Sequence, residues 1–319
     1  MELVITIINS LLARVLNHHL FKNFLFEVEI DIFTFENDIA RELNKELEEW
    51  LSKADLCHGP ARAIIAPHAG YRYSGPCAAH AYRQISPAVI KRVFILGPSH
   101  RVRLSKCALT QMKRYATPLY DLVIDMEVNN ELAATGHFQW MSADTDENEH
   151  SIELHLPYVA KVFERYRDQF TVIPILVGSL STDKETLYGQ ILSKYLADPE
   201  NLFVISSDFC HWGGRFSYKY YEPSAGPIFK QITQLDKQGM DLIELLDAEG
   251  FSEYLRETGN TICGRHPISV LLNAVKALKK SSQNGFHPLM KFLKYAQSSQ
   301  CTSPSDSSVS YASAALLMD

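Results

Sequence analysis

Three stretches decide the fold: Ala63-Ile64-Ile65-Ala66-Pro67-His68, Val93-Phe94-Ile95-Leu96-Gly97-Pro98-Ser99-His100 and Leu202-Phe203-Val204-Ile205-Ser206-Ser207-Asp208-Phe209-Cys210-His211. Each runs a short apolar segment straight into a polar turn carrying histidine. A parallel strand buried on both faces reads as just such a run, and open α/β sheets place their sites outside the carboxyl ends of their strands. Histidine at three strand ends therefore predicts one shared crevice. Imidazoles gathered with a carboxylate in that crevice predict a metal centre.

The spacing supports this. His68 and His100 lie one βαβ crossover apart, about 30 residues, with a helix predicted from about Pro76 to Ile85. The rhythm recurs in Val172–Gly178 as a strand, Ser181–Leu196 as a helix with Ser181 as cap, and Leu202 as the next strand start. Pro174, inside an apolar run, predicts an irregular or edge strand. Between the two units Asp125–Phe163 is helical in pattern, and its acid run Asp144–Glu149 reads as a solvated helix start. Ile39, Leu43, Leu47, Trp50 and Leu51 form one amphipathic helix. Helices are predicted from about Pro227 to Leu246, near Phe251–Thr258, and from Pro267 to about Lys280 with Pro267 as first residue. The runs Met290–Ala296 and Val309–Leu317 read as strands that close the sheet, and Ser298–Ser308 is linker-like but short. The prediction is a single α/β domain over residues 37–319, a mostly parallel mixed sheet flanked by helices. A divergent segment, residues 1–36, precedes it.

Composition narrows the classes. The 319 residues carry a net charge of -6, and without a basic stripe a nucleic-acid partner is not expected. The 6 cysteines are scattered with no CxxC, which fits reduced thiols in the cytosol better than a disulfide framework. The apolar run Leu3–Ala13 is too short to span a bilayer and follows Glu2 rather than a basic region, so neither a membrane span nor a signal peptide is expected. No GxxxxGK[ST], no GxGxxG and no GxSxG occurs, which disfavours phosphate-loop, dinucleotide-binding and α/β-hydrolase functions.

His68 sits in Pro67-His68-Ala69-Gly70-Tyr71-Arg72-Tyr73-Ser74-Gly75, where the glycines permit tight turns and Tyr71 and Tyr73 are placed to line a pocket. Asp208 and His211 offer a ligand, a general base or an acceptor that fixes a histidine tautomer; the alternative is helix capping by Ser206, Ser207 and Asp208. Cys263 precedes a helix start, where the macrodipole and Arg265 would lower its pKa; the alternative is an inert buried thiol. His266 is a competing ligand or a turn residue. His150 and Glu153 share a helical face, half of a carboxylate–histidine site whose second helix is missing. His18, His19, His58, His80, His137 and His287 have no partner pattern.

The segments Ala66-Pro67-His68-Ala69-Gly70-Tyr71, Leu96-Gly97-Pro98-Ser99-His100, Glu149-His150-Ser151-Ile152-Glu153, Ser206-Ser207-Asp208-Phe209-Cys210-His211-Trp212 and Ile262-Cys263-Gly264-Arg265-His266-Pro267 together resemble the Memo family (mediator of ErbB2-driven cell motility). So do Lys194-Tyr195-Leu196-Ala197-Asp198-Pro199 and Tyr295-Ala296-Gln297-Ser298-Ser299-Gln300-Cys301, and the likeness runs from about Asp38 to the C-terminus. The resemblance implies a fold similar to class III extradiol (LigB-like) dioxygenases of non-haem iron. It implies one iron or copper ion per chain on His68, His100 and Cys263, with Asp208 and His211 beside it as catalytic groups. Tyr71, Tyr73 and Arg265 would line a pocket for phosphotyrosine segments of receptor tyrosine kinases or their adaptors. It further implies a cytoplasmic and nuclear signalling factor acting on cytoskeletal regulators and cell migration. Thiolate in place of the dioxygenase carboxylate softens the site toward copper(I), zinc or thiolate-ligated iron. It points to metal-dependent oxidoreductase chemistry rather than catechol ring cleavage. The histidine- and tryptophan-bearing start typical of the family is not found in residues 1–36.

Overall fold

Alternation along the buried strands sends successive side chains to two opposite faces, each covered by helices. The computed structural model describes residues 29–281 and 287–318. The run Leu3–Ala13, His18 and His19, and the predicted segment 1–36 as far as residue 28, lie outside them. The strands are β1 (Ala63–Ala66), β2 (Arg92–Pro98), β3 (Cys107–Leu109), β4 (Arg114–Tyr115), β5 (Leu122–Val123), β6 (Gln139–Trp140), β7 (Thr171–Val177), β8 (Asn201–Ser206), β9 (His211–Gly213), β10 (Leu289–Gln297) and β11 (Ser307–Leu317). They build a 9-stranded sheet in the order β10-β11-β1-β8-β2-β7-β3-β6, with β9 pairing β11, and a small β4-β5 ribbon. The central pairs β1-β8, β8-β2 and β2-β7 are parallel, while β11 joins β1 antiparallel. This is the predicted mixed, mostly parallel α/β sheet.

Ala63, Ile65, Phe94, Leu96, Phe203 and Ile205 face one core, which the helices Thr182–Ala197, Ile228–Glu244, Ala248–Thr258 and Arg265–Ser281 cover. Ile64, Ala66, Val93, Ile95, Leu202 and Val204 face the other, under Glu29–Lys53, Tyr71–Tyr82 and Leu156–Val162. Phe94 and Phe203 stack across β2 and β8 with centroids 4.7 Å apart. Truncating either to alanine would cost about 3–5 kcal/mol.

Several boundaries differ from expectation. The helix after β1 runs Tyr71–Tyr82, because Gly70 already allows the turn and Pro76 sits within the helix rather than opening it. The Cys263-adjacent helix begins at Arg265, two residues ahead of Pro267. Pro174 lies in β7, an interior strand between β2 and β3. The β3 ladder covers only Ile175–Val177, so the missing N–H of Pro174 falls beyond its end. Residues 298–306 are the hairpin connection between β10 and β11, not a linker.

The parallel register aligns Ala66 with Ser206, and Leu96 with Ile205. The turns after β1, β2 and β8 therefore emerge side by side at one edge of the sheet.

Candidate metal centre

Each histidine delivered by these turns has one ring nitrogen already committed. His68, 2% exposed, follows β1, and its Nδ1 lies 2.6 Å from the Ser206 hydroxyl. That hydroxyl donates its own proton to the Ser151 carbonyl at 2.7 Å. Ser206 must therefore accept from Nδ1–H of His68, leaving Nε2 as the lone-pair nitrogen. His100 follows β2; its amide donates to Glu149 Oε2 at 2.7 Å and its Nδ1 to Glu149 Oε1 at 3.0 Å. Burial alone would raise the Glu149 carboxyl. The His100 ring, the His100 amide and the Ser151 amide outweigh it and bring the group down to about 2. The carboxylate thus stays an acceptor, and Nε2 of His100 is again free. His211 opens β9, with Nδ1 2.9 Å from the Phe209 carbonyl and 3.2 Å from the Thr261 carbonyl. Carbonyls only accept, so this ring too keeps its lone pair on Nε2. A hydrogen bond on the far nitrogen is how proteins fix the tautomer and direction of metal-ligating histidines.

Cys263 completes the set. Its Sγ is 3.4 Å from His68 Nε2 and accepts from the Asp208 amide at 3.3 Å. The loop comes this close because residue 264 is glycine: a Cβ there would strike the Ser206 carbonyl oxygen and the Ser207 side chain. The donor atoms of His68, His100 and Cys263 lie within 4.8 Å of one another, and so do those of Asp208, His211 and Cys263. Two imidazoles and a sulfur at this spacing are a soft donor set that suits iron, copper or zinc.

Asp208 does not cap a helix. Its Oδ1 accepts the amides of His68 at 2.9 Å and Ala69 at 3.3 Å, and Oδ2 stands 4.0 Å from His68 Nε2. Burial pushes its carboxyl up to about 7 despite those two donors. Cys263 departs from the dipole argument: burial first, and the Asp208 charge second, push its thiol up rather than down. Burial also lowers His68 and His211. For these two rings burial therefore favours the neutral imidazole, the form that binds metal.

The family model described as Memo-like protein matches residues 34–315. The chain belongs to the Memo-like family. It is 61% identical over 277 residues to Protein MEMO1 of Danio rerio, covering 87% of this chain and 92% of that protein. It is 60% identical over 275 residues to Protein MEMO1 of Homo sapiens, covering 86% and 92%. Protein memo-1 homolog of Caenorhabditis elegans is 50% identical over 283 residues, covering 88% of this chain and 80% of the relative. Among solved structures, an uncharacterized Escherichia coli K12 protein, JW3007, gives a TM-score of 0.44 at 13% identity, covering 78% of this chain and 98% of that one.

Of the residues the Memo resemblance singled out, the fold brings His68, His100, Cys263, Asp208 and His211 together. Tyr71 and Arg265 are placed otherwise. The Tyr71 hydroxyl donates to the Leu154 carbonyl at 2.6 Å, and its ring packs edge-on against Trp50 and Tyr158. Tyr71 is therefore packed against the core under the helices, while Tyr73 is 49% exposed. Arg265 lines a separate groove of about 420 Å³ with Ser181, Arg256, Asn260 and His266. His266 lines the same groove, its Nδ1 pairing with Glu185 at 2.6 Å.

Four residues, Glu149, Ser206, Thr261 and His150, have roles at the centre that the sequence did not reveal. Glu149 is 3% exposed and orients His100, whereas the acid run had suggested solvent. Ser206 and Thr261 orient His68 and His211. His150 lies in the one-turn helix His150–Glu153 and stacks on His100 at 4.5 Å, adding a fourth imidazole to the crevice wall. The Glu149-His150-Ser151 string beside the other segments was the available signal.

Proposed function

We propose that this Memo-like protein holds one redox-active iron or copper ion on His68, His100 and Cys263 and serves as a cytoplasmic and nuclear signalling factor. In this reading it relays receptor tyrosine kinase signals to cytoskeletal regulators and cell migration. The carrying observation is that three histidines each spend Nδ1–H on a fixed acceptor and keep Nε2 for the crevice. Such a metal, when bound, would supply reversible one-electron chemistry. Asp208 anchors Oδ1 on two amides and keeps Oδ2 to hold or release a proton near neutral pH. His211 presents a second neutral nitrogen for proton transfer.

The test is metal content of anaerobically purified protein, before and after loading with Fe(II) or Cu(I), beside a His68→Ala/His100→Ala/Cys263→Ser variant. About one ion per chain, lost in the variant, is expected. Equal, negligible metal in both would overturn the reading.

A second reading rests on the exposed Tyr73 and on the Arg101 charge felt at His150. It makes the crevice a metal-independent adaptor for phosphotyrosine segments. Phosphopeptide affinity that survives in the triple variant and weakens in Arg101→Ala would favour it.

A further inference from the structure

The helix Ile228–Glu244 turns Ile232, Leu235, Gly239 and Ile243 inward, and in the middle of that face it places Asp236, 0% exposed. A carboxylate at a core position is costly unless every lone pair is met. Here one oxygen joins two segments of the metal centre. Asp236 Oδ1 accepts the Cys210 amide at 3.2 Å and Nδ2 of Asn260 at 2.9 Å. Cys210 sits between Asp208 and His211, and Asn260 opens the loop that reaches Cys263. Oδ2 accepts from the Tyr295 hydroxyl at 2.8 Å, tying both segments to β10. The other Asn260 contact fixes the same amide group: Nδ2 also donates to Tyr254 Oη at 2.7 Å, which donates on to the Leu235 carbonyl at 2.7 Å. The next residue, Thr261, exchanges bonds with His211, receiving its amide at 2.7 Å and donating to its carbonyl at 3.0 Å. Between them, Asp236 and Thr261 fasten the Asp208–His211 turn to the Cys263 loop.

We propose that Asp236 is a positioning residue for the metal centre: it sets the Cys263 sulfur against His68, Asp208 and His211 without touching any of them. The metal part of this inference rests on the function proposed above; the positioning part does not. Without the carboxylate, the Cys210 amide, Asn260 Nδ2 and the Tyr295 and Ser310 hydroxyls lose their acceptor, and the turn and the loop are free to separate.

The experiment uses the full chain as Asp236→Ala, Asp236→Asn and Leu132→Ala, the last a core truncation far from the site that serves as a stability control. Two readouts are taken at equal distance below each Tm. One is the alkylation rate of Cys263 in metal-free protein, followed by peptide mass spectrometry. The other is Co(II) affinity with the sulfur-to-cobalt charge-transfer band. The expected result is severalfold faster alkylation in Asp236→Ala and a smaller rise in Asp236→Asn, whose amide oxygen still accepts. Leu132→Ala should show none. Co(II) affinity should fall about tenfold or more in Asp236→Ala, as for other outer partners of metal ligands. If Asp236→Ala does not fold, Asp236→Asn decides. Cys263 alkylation equal to that of Leu132→Ala would overturn the inference. If the wild type binds no Co(II), Fe(II) or Cu(I), the metal reading fails, and the alkylation rates still judge Asp236.

Discussion

The same strands end in two different ways. At the amino end of β2 and β8, most polar side chains pair with one another, although Arg62 Nε and Asn201 Oδ1 have no partner among the described residues. Arg92 pairs with Asp125 at 3.1 Å, Lys194 pairs with Glu131, and Asn201 Nδ2 donates to the Tyr195 carbonyl at 2.9 Å. Arg62, just before β1, donates to the Leu196 carbonyl at 2.7 Å and the Asp198 carbonyl at 2.5 Å, capping the helix Thr182–Ala197. At the carboxyl end the polar groups are satisfied on one side only. Ser206, Glu149 and the Thr261 carbonyl each hold an imidazole by Nδ1 and leave Nε2 facing the crevice. The contrast separates charge that holds the fold from chemistry held ready for a ligand.

The strongest way to break the contrast at the carboxyl end, short of removing the ligands themselves, is Glu149→Gln. It keeps shape but gives His100 a neutral acceptor that can also turn its amide nitrogen toward the ring. Metal affinity by competition titration should fall about 10- to 100-fold. An unchanged affinity would mean that Glu149 does not orient His100. At the amino end, Arg62→Ala should lower stability in urea by about 1–2 kcal/mol through the two lost carbonyl bonds, with metal affinity untouched. A matching loss of metal would show that the two ends are not independent.

His155 sharpens the contrast through pH. Buried, with Nδ1 2.7 Å from the Tyr82 hydroxyl and Nε2 unpartnered among the described residues, it is held down to about 3 from the ordinary 6.5. The unfolded chain therefore takes up a proton near pH 6.5 that the folded chain refuses until about pH 3. The stability this gives is fully present above that range and is lost as pH falls through it. Thermal melts of wild type should thus decline more steeply from pH 7 to pH 4 than those of His155→Phe; parallel declines would count against it. The smallest effect is expected for Lys194→Ala, whose exposed pair with Glu131 should matter by less than about 1 kcal/mol in chemical denaturation.

Much of this was legible in the chain. β1, β2 and β8 announce themselves as apolar runs ending in polar turns, and the crossover spacing makes their carboxyl ends neighbours. His68, His100, Asp208 and His211 follow from that placement, and Cys263 from the family likeness. What escaped depends on which way a single side chain turns. In Asp144–Glu149 the acids Asp144 and Glu147 face outward, while Asp146 turns in to the Thr110 and Tyr115 hydroxyls and Glu149 to His100, and nothing in the local pattern tells them apart. Arg265 follows the Cys263-Gly264 turn, yet its helix start directs it into the groove behind the loop. Pro174 argued for an edge, but one short neighbour, β3, lets it stand in the interior. The thiol of Cys263 reads as dipole-activated from sequence, whereas burial and the nearby Asp208 carboxylate dominate once the chain is folded.

The segment Glu149–Ser151 serves both principal histidines at once. Its carboxylate holds His100, its Ser151 carbonyl receives the proton that forces Ser206 to accept from His68, and the Ser151 hydroxyl donates to the Pro98 carbonyl at 2.8 Å. Gly97 lets it lie this close, since a Cβ there would come within 2.6 Å of Ser151 Oγ. The two rings therefore share a single jig and cannot be retuned separately. Changes on either arm should combine non-additively, and a one-residue slip in these three positions would misalign both ligands together.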